Sequence, residues 1–102
     1  REASTTYRAL DVFRVQRPDL SAPATRTAVA DAARASDAAF ARCEGEAPAA
    51  VRADPDFRRL IDGARASLGK VPQAATASDG DLLHRLLIEL RSFEQLLLFR
   101  FG

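Results

Sequence analysis

The residues able to do chemistry are few. His84 is the sole histidine and Cys43 the sole cysteine, and the chain contains no Met or Trp. A nucleophilic thiol needs a base within hydrogen-bonding reach. At helical spacing His84 falls with Arg91 and Gln95, opposite the main apolar stripe of its own helix, so it is not placed to serve Cys43. His84 therefore reads as a solvated surface imidazole, with Asp81 three residues before it as a local carboxylate neighbour. Cys43 reads as a small buried hydrophobe, a reactive or intermolecular thiol being the alternative. Haem between helices would want a second axial ligand where Met is absent. No Glu-x-x-His pair exists for a di-iron site. Phosphate-cradling glycine loops, a nucleophile-elbow serine and zinc-ligand spacings are missing as well. The expectation is no catalytic residue, no metal site and no cofactor.

The carboxylates are spread along the chain, most with an arginine three or four residues away, as in Asp31–Arg34, Asp56–Arg59, Asp62–Arg65 and Asp81–Arg85. Such pairs mark solvated helix surfaces and contribute only a few tenths of a kcal/mol each. With 15 basic and 14 acidic residues interleaved, net charge +1, there is no basic patch for nucleic acid and no polybasic membrane arm. At 102 residues, 47% apolar and 28% charged, the chain fits one soluble domain with a small core. Lys70 is the only lysine and Asn is absent, while Ala and Arg abound, which points to a GC-rich, bacterial genome. The chain starts Arg1-Glu2-Ala3. That fits an exported protein after signal removal about as well as a domain cut from a longer one, so a periplasmic or secreted setting is favoured over the cytoplasm. The C-terminal apolar run Leu96 to Phe99 is far below the ~20 residues of a membrane span.

The elements that must carry these residues read as helices. Ala3, Thr6, Tyr7, Leu10 and Phe13 share one helical face over residues 3–16, with Val12 and Val15 off it, and Pro18 ends the segment. The β-branched stretch Leu10 to Val15 leaves a strand as the alternative there. Ser21-Ala22-Pro23 opens a second helix over 22–44, capped by Ser21 and stopped by Gly45. Its inward face is Ala28, Val29, Ala32, Ala33, Ser36, Ala39, Phe40 and Cys43, mostly small, so a neighbour can approach closely. A linker follows. Asp54-Pro55-Asp56 then starts a third helix over 55–68, with Phe57, Leu60, Ile61, Ala64 and Leu68 inward and Gly69 as its stop. Gly63 inside it marks either a close crossing or a tolerated cost of up to ~1 kcal/mol. Val71 to Ala77 reads as a loop, with Ser78 and Asp81 as a capping box for a helix over 79–101. Short connections favour antiparallel neighbours, so the expected fold is all-α: one small antiparallel four-helix bundle, up-down-up-down.

The last helix holds the most information. At 100° per residue, Leu82, Leu83, Leu86, Leu87, Leu90, Phe93, Leu97, Leu98 and Phe101 span about 160° of arc, enough to face several neighbours. Ile88, Leu96 and Phe99 fall outside that arc. His84, Arg85, Arg91 and Arg100 mix with Glu89, Glu94 and Gln95 as its polar side, which suits a membrane surface poorly. Ile88, Leu96 and Phe99 are the candidate interaction surface. The functional expectation is a non-catalytic helical interaction or accessory domain, contacting a partner protein or itself as a homodimer through this helix. Its rivals are a ligand-sensing extracytoplasmic bundle that binds a small molecule between helices, and a fragment of a larger enzyme.

Overall fold

The structure, a computed structural model, describes residues 2–102. It is built of helices Glu2–Val15 (α1), Pro23–Glu46 (α2), the single turn Ala49–Arg52 (α3), Pro55–Thr76 (α4) and Gly80–Phe101 (α5), with no strand among the described residues. α2 packs against α1 and α4, and α5 packs against both α4 and α1, so the four long helices enclose one core in a body of 45 × 19 × 19 Å. Helices of 22 to 24 residues are about 33–36 Å long, which accounts for most of the long dimension.

Leu10, Leu60, Ile61, Leu68, Leu83, Leu87 and Leu90 fill that core and are fully buried. Each contributes roughly 1.5–3 kcal/mol by leaving water. Ala30, Ala33, Ser36 and Ala39 give α2 its small-residue inner face, with Phe40 as the large anchor, while Ala28 points outward. The stretch Leu10 to Val15 is helical, because Ala3, Tyr7 and Leu10 bury together on one 3.6-residue face and Val12 and Val15 stay exposed.

Ion pairs tie the helices together. Arg42 near the end of α2 meets Glu2 at the start of α1 at 2.6 Å. Arg65 of α4 grips Asp37 of α2 at 2.9 Å, and Arg100 at the end of α5 meets Asp56 at the start of α4 at 3.0 Å. The Phe57 and Phe101 rings pack edge to face at that same end, 5.3 Å between centroids.

Several helix ends differ from the sequence expectation. Neither Gly45 nor Gly69 ends its helix: no glycine takes a positive φ, so neither adopts the left-handed cap geometry. α4 runs on through Lys70, Val71 and Pro72 to Thr76, and Val71, Ala74 and Ala75 become core instead of loop. A proline inside a helix costs up to ~3 kcal/mol. Burial of the residues around it offsets that cost. The stop falls at Ser78, in the left-handed region at φ 56°, with its N–H bonded to Ala75 and the Asp79 N–H to Ala74. That is a Schellman closure with serine where glycine is usual. Ser78 is therefore spent ending α4, its hydroxyl donating to the Leu20 carbonyl at 3.1 Å, and Asp79 caps α5 by accepting from the Leu82 N–H at 3.0 Å. At α2 the N-cap is Ala22, without a side-chain bond, because the Ser21 hydroxyl donates to Asp19. Asp54 caps α4 as expected, accepting from the Asp56 N–H at 2.8 Å with Pro55 at the first helical position.

Candidate functional site

The candidate surface is built by α5. Asp79 starts the helix, and Leu83, Leu86, Leu87, Leu90 and Leu97 anchor its inner side in the core. Anchoring fixes the rotation of the helix, and rotation decides what faces water. Ile88, Leu96 and Phe99 are 47%, 46% and 85% exposed, and Leu98 joins them at 45%. Helical angles alone put Leu98 inside the buried arc. It lies at the extreme edge of that arc, beyond the reach of the neighbouring helices. The reverse holds for Glu94, which reads from its charge as part of the polar side. It is buried on the side facing α1, where the Ser4 hydroxyl donates to its carboxylate at 2.9 Å. The angular position of Glu94, within the leucine arc, is the signal that could have found it.

Ile88, Ser92, Gln95 and Phe99 follow one another at spacings of four, three and four, the a/d rhythm of a second seam, and Leu96 and Leu98 flank it. Ile88 and Phe99 stand about 16 Å apart along the helix at 1.5 Å per residue. None of the four seam residues is charged, whereas the outer faces of α2 and α4 carry ion pairs such as Arg34–Asp31 and Arg59–Asp56.

Beside this seam runs an open groove of about 440 Å³ between α4 and α5, with Gly63, Ala66, Ser67 and Lys70 on one wall and Ile88, Glu89, Ser92 and Phe93 on the other. Gly63 leaves room for the Phe93 ring: a Cβ there would sit 2.5 Å from it. So Gly63 marks the seat of the Phe93 ring. A second open groove of about 260 Å³ lies between the start of α2 and the end of α4, lined by Arg26, Thr27, Arg34 and Thr76 among others.

The residues singled out for chemistry stay apart. Cys43 is half-buried, a free thiol packed against the core near the end of α2. His84 is half-buried on α5 instead of fully solvated, and its Nδ1 is enclosed without a partner among the described residues. Asp81 does not reach it and pairs with Arg17 at 2.9 Å. Among the described residues no three His, Cys, Asp or Glu side chains are grouped to hold a metal ion, and no helix is long and apolar enough to cross a membrane.

One electrostatic unit joins α1 to α5. The Tyr7 hydroxyl donates to Asp11 at 2.8 Å, Arg14 grips the same carboxylate at 2.7 Å, and Arg91 of α5 stands 3.9 Å away. The Arg14 bond holds the Asp11 carboxyl below its usual range, helped by Tyr7 and Arg91. Burial, and then the bond to Asp11, pushes the Tyr7 phenol well above its usual range.

No protein-family model matches the chain, and neither the curated proteins nor the solved structures compared with it give a match.

Proposed function

We propose that this chain is a non-catalytic helical interaction domain, an up-down-up-down antiparallel four-helix bundle that contacts a partner protein or a second copy of itself through the outer face of α5. The observation that carries the reading is the seam around Ile88, Leu96 and Phe99, with Leu98 now added, left exposed on a helix whose inner side is already fully used. Large exposed apolar patches on small domains mark interaction sites. The pairings of Arg42 with Glu2, Arg58 with Glu44 and Arg100 with Asp56 support the antiparallel order. An accessory role in a bacterial, exported protein belongs to the same reading and rests on composition. A small molecule between the helices has less support, since leucines occupy that space and both grooves are open to solvent.

The test is a photo-crosslinking residue placed at Phe99 in the cells that make the protein, with the same residue at the exposed Ala35 of α2 as control. A discrete crosslinked species at Phe99 and not at Ala35 is expected. Equal, diffuse labelling at both positions overturns the reading.

A further inference from the structure

We infer that the occupant of the α5 seam is a second copy of this chain, docked antiparallel about a two-fold axis that passes the helix between Phe93 and Glu94. This rests on the interaction reading above and goes further by naming the partner and the register. The seam reads the same in both directions: a large apolar residue, two uncharged polar ones, a large apolar residue, at Ile88, Ser92, Gln95 and Phe99. The midpoint between Ile88 and Phe99 is also the midpoint between Ser92 and Gln95. A two-fold axis there sets Ile88 against Phe99 of the second copy, and Ser92 against Gln95 of the second copy, where hydroxyl and amide can satisfy each other. A self-complementary patch of this kind is what an isologous interface requires.

Charge fits the same pairing. In an antiparallel helix pair each flank meets its own counterpart, so Leu98 lies along the Arg91 stem of the second copy and Leu96 along Glu89. No like charges come face to face, and the uncharged centre offers nothing to an acidic, basic or lipid-headgroup partner. The groove supplies shape. Phe99, 85% exposed, arrives opposite Ile88, which lines the α5 wall of the open groove, across from Gly63 and Ala66. The ring of the second copy thus has space to enter. One helix pair is a small footprint, so the dimer is weak and concentration-dependent.

Sedimentation equilibrium from about 1 µM to 1 mM tests this, with far-UV circular dichroism to show that each variant stays folded. The expected result is a monomer–dimer equilibrium whose dissociation constant rises at least ~10-fold in Ile88→Glu and in Phe99→Glu. The double variant Ile88→Lys/Phe99→Glu decides the register. Antiparallel docking places the new opposite charges against each other and recovers most of the loss; parallel docking places like charges together and does not. Dimerisation lost in the single variants without recovery in the double overturns the register while leaving the α5 interaction reading intact. A monomer throughout the range overturns the second copy as occupant, and that reading then stands or falls on the crosslink at Phe99. A dimer indifferent to both single variants overturns this proposal and the reading beneath it.

Discussion

α4 and α5 are both 22 residues long, pack against each other, and use their apolar residues in opposite ways. α4 buries all its large apolar residues, Phe57, Leu60, Ile61, Leu68 and Val71, and its outer side is charged, polar and small residues. α5 buries five leucines and still leaves Ile88, Leu96, Leu98 and Phe99 in water. The difference lies in angular width. α4 has one stripe as wide as the core needs. α5 has that stripe and, on its far side, a second seam that no other helix covers. Folding alone accounts for every large side chain of α4 and for only part of those of α5.

The comparison is tested hardest in the core. Leu60→Ala in α4 and Leu87→Ala in α5 each remove a fully buried side chain, and each is expected to cost about 2–5 kcal/mol in urea unfolding. Equal costs establish that the inner side of α5 matters to folding no less than that of α4. A cost at Leu87 far below that at Leu60 would mean that α5 is held loosely, and its exposed seam would then be slack packing instead of a built surface. At the contact between the two helices, Gly63→Val drives branched carbons into the Phe93 ring and should cost about 1–3 kcal/mol. The same substitution in a Phe93→Ala background should cost less, because the clash has been removed, and a double-mutant cycle measures the difference.

The two helix starts come next. Asp54→Ala and Asp79→Ala each remove a side-chain acceptor for a first-turn N–H, worth about 0.5–2 kcal/mol apiece. Asp54 also has Pro55 behind it and Asp79 does not, so the loss at Asp79 should fray α5 further, visible as faster amide exchange at Leu82 and Leu83.

α5 packs against α1, and pH reports on that contact. The Asp11 carboxylate is favoured by folding, so its contribution is complete above about pH 4 and is lost as pH falls through its lowered folded value. The Tyr7 phenol is favoured in its neutral form, so its contribution is complete below about pH 10 and declines as pH rises beyond that. Tyr7→Phe should cost about 0.5–1.5 kcal/mol at neutral pH and flatten the alkaline limb of stability. An unchanged alkaline limb would place the Tyr7 hydroxyl outside the α1–α5 junction.

How far these features could be read from the sequence follows from how local their causes are. Asp54-Pro55 carries its own start signal, and the stripe Phe57, Leu60, Ile61, Ala64, Leu68 its own periodicity, so both were legible. The exposure of Ile88, Leu96 and Phe99 followed from angles alone. The continuation of α4 past Gly69 and Pro72 was not legible. Glycine and proline weaken a helix locally, and what holds it is the burial of Val71, Ala74 and Ala75 against partners distant in sequence. The role of Ser78 was hidden for a related reason. It is fixed by a left-handed backbone and by Leu20, 58 positions away. Glu94 was legible as an angle within the leucine arc, but only Ser4 at the other end of the chain makes its burial tolerable. The seam itself needs two causes: the spacing of Ile88, Ser92, Gln95 and Phe99 is local, and the packed inner side of α5 determines that this spacing faces outward.

The smallest expected effect is the most discriminating. Phe99→Ser, made in the dilute protein, should change unfolding free energy by no more than about 0.5 kcal/mol, because an 85% exposed ring leaves little contact to lose. Loss of a large aromatic with no loss of stability is what a side chain kept for something other than folding must show. The same substitution at Phe57, 3% exposed and packed edge to face against Phe101, should cost several-fold more. If Phe99→Ser instead destabilises the dilute monomer by a kilocalorie or more, then Phe99 belongs to the core in solution. The second seam would shrink to Ile88, Leu96 and Leu98, and the contrast between α4 and α5 would become one of degree.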